Sequence, residues 1–153
     1  MRLALEGEDH STAADDPQFQ VAVRAWFGEH AGTETFRAWI AEGEGEPVAV
    51  AGLVLLSRPP YSGNPTGLEG LVTSMFTVPG RRGRGVGARL LQVMIGAARE
   101  LGVGRLVLYS SAGAQSLYRR HGFTEDQERG APLQRWLTER GPKGPTSYRR
   151  REV

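Results

Sequence analysis

The residues best suited to chemistry lie in a glycine-rich run, Arg82-Gly-Arg-Gly-Val-Gly-Ala88. The run stands between a predicted strand and the most strongly periodic predicted helix of the chain. Its glycines let a ligand approach the backbone closely and let successive N–H groups turn toward it, and the helix N-terminus adds partial positive charge. These properties suit a phosphate group, so the run predicts a phosphate-binding loop.

Two common nucleotide-binding loops are disfavoured by the residues around this run. A P-loop needs a lysine followed by serine or threonine, whereas the only lysine is Lys143, near the C-terminus. A dinucleotide-binding loop has the spacing GxGxxG and an acidic residue about 20 positions later, where this chain has Tyr109-Ser110-Ser111. A glycine-rich turn that only reverses the chain stays open as an alternative.

Two motifs in this part of the chain resemble the signatures of one enzyme family. Arg82-x-x-Gly85-x-Gly87, with Pro79 three residues before it, resembles the (Q/R)xxGxG/A motif of GNAT acetyltransferases. The run Ala114-x-x-Leu117-Tyr118-x-x-x-Gly122-Phe123 resembles the second motif of that family, AxxLYxxxGF. The two motifs have the family's order and a usual separation, and the resemblance covers roughly residues 47–125.

The resemblance implies a binding site for acetyl-CoA as acyl donor, with no metal. In this family the loop amides hold the pyrophosphate, and the strand just upstream pairs with the pantetheine arm. Ser111 stands where many members have an asparagine that contacts this arm, and a serine reaches less far. The implied binding residues are Phe76, Thr77, Val78, Arg82, Gly83, Arg84, Gly85, Val86, Gly87, Ala88 and Ser111.

The resemblance also implies a reaction, in which a primary amine of a small molecule or a protein attacks the thioester directly in a ternary complex. The leaving thiolate needs a proton, and a tyrosine with an ordinary pKa near 10 is a suitable donor to a thiol with a pKa near 8.5. In the family the tyrosine that matches Tyr118 has this role. The alternative is a core aromatic residue whose hydroxyl binds to the backbone.

The attacking amine must also lose a proton, and carboxylates near the strand before the loop usually accept it in this family. Glu69 is the candidate, since strand alternation keeps it on the same face as the position that some members use. A solvated glutamate at the end of a loop is the alternative interpretation of Glu69. A chain of water molecules would serve equally well as the route for the proton.

Two other functions compete with catalysis. The first is an acyl-CoA sensor or regulatory module that binds the donor without turnover, which the presence of Tyr118 disfavours. The second is nucleic-acid binding by the arginines of residues 81–89 and 149–151. Helical spacing spreads the first arginine cluster around its axis, and no aromatic residues are interleaved with it, so we do not expect a nucleic-acid partner.

The first half of the chain contains the elements that support this site. Apolar residues at helical spacing predict a helix over residues 17–30. A hairpin follows, with a tight turn at Glu42–Glu46 and a buried second strand over residues 48–56. The three prolines of residues 58–70 predict a loop, and residues 71–78 predict a strand.

In the second half, a helix begins at Gly85 and is closed by Gly102. A short buried strand is predicted at Arg105–Tyr109, a helix at Ala112–His121, and a further strand after Gly122-Phe123. This order predicts an α/β domain with a mixed central sheet flanked by helices and at least one parallel crossover.

Composition limits the remaining possibilities. The 153 residues, 39% of them hydrophobic, suit one domain, which we place at residues 1–140, followed by a basic, flexible tail at 141–153. The absence of cysteine excludes thiolate chemistry, and the three widely separated histidines predict no metal site. The acidic N-terminal region and the lack of a long apolar run predict a cytoplasmic protein without a membrane span. A homodimer is expected by analogy with similar domains.

Overall fold

The centre of the fold is a four-stranded sheet in the order β1-β2-β3-β4. The computed structural model describes residues 16–125. Every element described below lies between residues 16 and 122. The strands are β1 (Phe36–Gly43), β2 (Glu46–Ser57), β3 (Leu68–Thr77) and β4 (Arg105–Val107).

The sheet is mixed, because β1, β2 and β3 pair in antiparallel fashion whereas β4 pairs with β3 in parallel. Parallel neighbours need a crossover connection, and helix α2 (Val86–Glu100) supplies it. The buried residues of α2, Leu90, Leu91, Met94 and Ala98, recur at helical spacing, and the helix packs on β1, β2 and β3. The predicted α/β fold with a mixed sheet is confirmed.

Helix α1 (Pro17–His30) has the bounds that the sequence predicts. It begins at Pro17 because Asp16 is an N-cap, whose Oδ1 accepts a hydrogen bond from the amide of Gln18 at 2.9 Å. Its apolar side attaches to the start of β1, where the rings of Trp26 and Phe27 meet Phe36 edge to face at 4.9 and 5.5 Å. Phe36 is thereby fully buried.

The turn between β1 and β2 consists of Glu44 and Gly45, within the predicted range. Both residues have positive φ, 59° and 81°, as a two-residue hairpin of type I′ requires. Glycine adopts this conformation freely, but a glutamate rarely does. Glu44 is therefore an unusual residue at this position.

Three predicted boundaries are wrong. Strand β3 begins at Leu68 rather than residue 71, because Glu69 and Gly70 are buried in the sheet and paired with both neighbouring strands. Strand β4 ends at Val107, and Tyr109, predicted to be buried, is 77% exposed. The predicted helix at residues 112–121 is divided into a 3₁₀ turn at Ala112–Ala114 and helix α3 (Gln115–Arg120).

Several predictions concern residues outside 16–125. These are the further strand after Phe123, the domain boundary at residue 140 and the basic tail at 141–153, and all three stay predictions. Within the described range, no helix has the length and apolar character needed to cross a membrane. The same range contains no group of three His, Asp or Glu side chains that could hold a metal ion.

Candidate functional site

A cavity of about 950 Å³ opens where β3 and β4 separate. The two strands pair only from Glu69 with Arg105 to Leu71 with Val107, and the lining of the cavity begins where this pairing ends. Its walls are residues 71–77 of β3, the glycine-rich loop, residues 108–111 after β4, and helix α3 with its 3₁₀ turn. The divergence of two parallel strands therefore creates the space for a ligand.

A β-bulge deforms β3 along the wall of this cavity. The two-residue step from Val50 to Gly52 in β2 lies opposite a three-residue step from Thr73 to Phe76 in β3. Ser74, inside this step, has a φ of 56° and is buried. A bulge leaves its extra residue out of the ladder, so backbone polar groups of β3 become available to a ligand in the cavity. The sequence contains no signal for this bulge.

The glycine-rich loop leads from β3 into α2 through a 3₁₀ turn at Pro79–Arg81. Gly83 and Gly85 have φ of 71° and 77°, a conformation that side chains disfavour. Gly85 is the N-cap of α2, and among the described residues no side chain caps the helix and no acidic residue lies in its first turn. The amides at this end are therefore suited to an anionic ligand in the cavity.

Two arginines hold the loop in place. The Arg82 Nε donates to the carbonyl oxygen of Thr77 at 2.9 Å, and its guanidinium lies 5.5 Å from the centre of the Phe76 ring. Arg81 forms a 2.8 Å ion pair with Glu44, in the turn between β1 and β2. The loop is thus attached both to the end of β3 and to the neighbouring hairpin.

Tyr118 lies on α3 and lines the same cavity. Its side chain is only 8% exposed, and burial raises the pKa of its hydroxyl above the ordinary tyrosine value. The hydroxyl is protonated at neutral pH, as that of an ordinary tyrosine is, so it has a proton to donate, although the raised pKa makes it a weaker acid than an exposed tyrosine. The structure thus brings Tyr118 and the glycine-rich loop to one cavity, although about thirty residues separate them in the sequence.

Most of the predicted binding residues line this cavity, and two do not. The exceptions are Val78, whose amide donates to the carbonyl of Val48 at 3.0 Å, and Arg84. The predicted residues in the lining are Phe76, Thr77, Arg82, Gly83, Gly85, Val86, Gly87, Ala88 and Ser111. Sequence reasoning missed Tyr109, Ser116 and Arg120, which also line the cavity. Tyr109 lies outside both motifs, and Ser116 and Arg120 occupy variable positions of the second one.

Glu69 does not line the cavity and lies where β3 and β4 are still paired. It is 2% exposed, so the alternative of a solvated glutamate at a loop end is wrong. Its carboxylate accepts a hydrogen bond from the Tyr61 hydroxyl at 2.7 Å and forms an ion pair with Arg58 at 2.6 Å. Arg105 lies 3.8 Å away. These contacts attach the loop at residues 58–67 to the paired part of the sheet.

The chain belongs to the acetyltransferase (GNAT) family, because a model of that family matches residues 3–123. Its fold is similar to that of a predicted acetyltransferase with acetyl-CoA from Clostridium acetobutylicum. The two share 23% identity and a TM-score of 0.73, with 87% of each chain covered.

Two further solved structures are similar at somewhat higher identity. A GCN5-related N-acetyltransferase from Ralstonia eutropha is 26% identical, with a TM-score of 0.69 and coverage of 86% of this chain and 87% of that one. An integron cassette protein from the mobile metagenome of Cole Harbour Salt Marsh is 28% identical, with a TM-score of 0.67 and coverage of 89% and 82%. No curated protein matches the chain significantly.

Proposed function

We propose that this protein is an N-acyltransferase that moves an acetyl group from acetyl-CoA to a primary amine of a small molecule or a protein. One observation carries the proposal: a single cavity is lined both by a glycine-rich helix N-terminus and by a protonated tyrosine, Tyr118. The first group suits the phosphates of the donor and the second suits its leaving thiolate. Membership of the GNAT family and the acetyl-CoA in the Clostridium acetobutylicum structure support this assignment.

Donor binding rests on the amides from Gly83 to Ala88. Each charge-assisted hydrogen bond to a pyrophosphate oxygen contributes on the order of 1.5–3 kcal/mol, so four or five are enough for micromolar affinity after the cost of association. The pantetheine arm lies along Phe76 and Thr77, beside the bulge at Ser74. Ser111, on the facing wall, is the proposed second contact of this arm.

The reaction needs no covalent intermediate on the protein. The nitrogen of a neutral amine attacks the thioester carbonyl carbon, the carbon–sulfur bond breaks, and the electron pair leaves with sulfur. Tyr118 donates its hydroxyl proton to the departing thiolate, and the proton lost by the amine restores the balance through solvent. The products are the amide and CoA with a free thiol.

We propose Glu69 as the group that starts the proton relay from the amine. Strand alternation places it on the same face of β3 as Leu71 and Thr73, which line the cavity. Because its carboxylate is already held by Arg58 and Tyr61, a water molecule must complete the connection. Comparison of pH–rate profiles for wild type and Glu69→Gln tests this role. We expect the acidic limb to move, and an unaltered acidic limb would exclude Glu69.

The function is tested by release of free thiol from acetyl-CoA in the presence of a panel of amines: polyamines, amino acids, amino sugars and peptides with free N-termini or lysines. An acyltransferase releases thiol faster with at least one amine than with none, and the same amine gains the mass of an acetyl group. A sensor binds acetyl-CoA but releases no thiol with any amine. Absence of acetyl-CoA binding would contradict both functions.

A further inference from the structure

Helix α3 places two polar side chains in the lining of the cavity, apart from the glycine-rich loop. Ser116 and Arg120 both line the cavity and both are exposed. They are four residues apart, so they stand on the same side of the helix, one turn from each other. A hydroxyl and a guanidinium at this spacing can bind one oxyanion together.

Arg120 differs from the other arginines of the cavity, because its side chain has no polar contact with another residue between 16 and 125. Arg81 forms an ion pair with Glu44, and Arg82 is bound to the carbonyl of Thr77 and lies over Phe76. Arg120, by contrast, forms no ion pair or hydrogen bond with any residue of the described range 16–125. Its guanidinium is therefore available to a ligand without first breaking an interaction within that range.

The proposed donor contains a phosphate that the glycine-rich loop does not explain. Coenzyme A carries a diphosphate in its backbone and a separate monoester at the ribose 3′ position. The monoester has close to two negative charges at neutral pH and three accessible oxygens, which suits the planar fork of an arginine. The loop amides from Gly83 to Ala88 suit the diphosphate, so the monoester needs other donors.

We propose that Arg120, assisted by Ser116, binds the 3′-phosphate of the acyl donor and makes the protein selective for CoA over 3′-dephospho-CoA. This inference rests on the proposed function, because it assumes that CoA occupies the cavity. An anionic group of the acceptor would suit the same two side chains. The two possibilities are distinguishable without acceptor: removal of the 3′-phosphate weakens donor binding only if Arg120 and Ser116 bind that phosphate.

The experiment measures the affinity of acetyl-CoA and acetyl-3′-dephospho-CoA by calorimetry at one fixed ionic strength, without acceptor. We expect wild type to prefer acetyl-CoA by about tenfold, the value of one exposed charge-assisted hydrogen bond. In Arg120→Ala this preference should fall to near one, because binding of acetyl-CoA weakens about tenfold while that of the dephospho donor is unchanged. Ser116→Ala should reduce the preference by a few fold.

Arg119→Ala is the matched control, since it removes an adjacent arginine of the same helix that does not line the cavity. It should keep the tenfold preference. Equal affinity of wild type for the two donors, or an equal loss of both in Arg120→Ala, would overturn the 3′-phosphate site and leave the proposed function intact. Failure of wild type to bind either donor would overturn the proposed function as well.

Discussion

At the scale of single residues, Tyr118 has the two properties that protonation of a leaving thiolate needs. It lines the cavity that is proposed to hold the thioester, and its hydroxyl is protonated at neutral pH, as that of an unshifted tyrosine already is. The motif AxxLYxxxGF located this tyrosine in the sequence, but its burial and its raised pKa depend on the packing around α3. Residue type was predictable here, and electrostatic environment was not.

We expect Tyr118→Phe to lower turnover by roughly 10²-fold, the usual contribution of a positioned proton donor. The substitution removes only the hydroxyl, so the affinity for acetyl-CoA should stay within about twofold of wild type. Steady-state thiol release measures the turnover, and calorimetry measures the affinity for acetyl-CoA. Unchanged turnover would show that another group, or solvent, protonates the thiolate.

The raised pKa of Tyr118 also makes a prediction about stability. In the unfolded chain the hydroxyl has an ordinary pKa near 10, and in the folded protein burial raises it. The stabilisation linked to this group is therefore complete below about pH 10 and is lost as the pH rises through the folded value. Urea unfolding measured between about pH 9 and 11 should show that the free energy of unfolding falls more steeply with pH for wild type than for Tyr118→Phe. Parallel profiles for the two proteins would contradict the shift.

At the scale of elements, the glycine-rich loop depends on backbone conformation more than on side chains. Gly85 has a φ of 77° and open space around its missing Cβ, so an alanine there meets no clash but must adopt a left-handed conformation. That conformation costs roughly 1–2 kcal/mol. In the Gly85→Ala variant the backbone of the loop should therefore shift, and its amides should lose the geometry that suits the diphosphate. We expect the affinity for acetyl-CoA to fall about tenfold.

Gly96→Ala is the matched control, because it makes the same change in the interior of α2, where the glycine also has open space around it. Its φ is not in the left-handed region, so alanine should stabilise the helix by about 0.5–1 kcal/mol and leave acetyl-CoA affinity unchanged. Calorimetry with acetyl-CoA separates the two variants. Equal affinities of Gly85→Ala and wild type would show that the loop does not bind the donor through its backbone.

The elements that the sequence predicted well are those with local signals. Helix α1 has an N-cap at Asp16 and apolar residues at helical spacing, and the hairpin turn has a glycine at residue 45. The start of β3 was missed because a glutamate at residue 69 is buried only when Arg58 and Tyr61 contact it. Those contacts form between elements and leave no periodic pattern.

At the scale of the whole molecule, the cavity exists because β3 and β4 separate after three paired residues on each strand. The motifs predicted which segments line the cavity, but neither the separation nor the bulge at Ser74 has a local signature. For the same reason Tyr109, Ser116 and Arg120 were not predicted, since only packing decides how the segment after β4 and which side of α3 face the cavity. The motifs thus indicated the segments around the candidate site, whereas the shape of the cavity and its other lining residues depend on tertiary packing.

The most direct test of the central claim is thermal unfolding with acetyl-CoA, with NAD and ATP as controls. A ligand at 100 times its dissociation constant stabilises the folded state by about 2.7 kcal/mol, which raises the melting temperature of a domain of this size by roughly 5–11 °C. We predict this rise with acetyl-CoA and none with the two other nucleotides. No rise at millimolar acetyl-CoA would contradict the assignment of the cavity as a donor site.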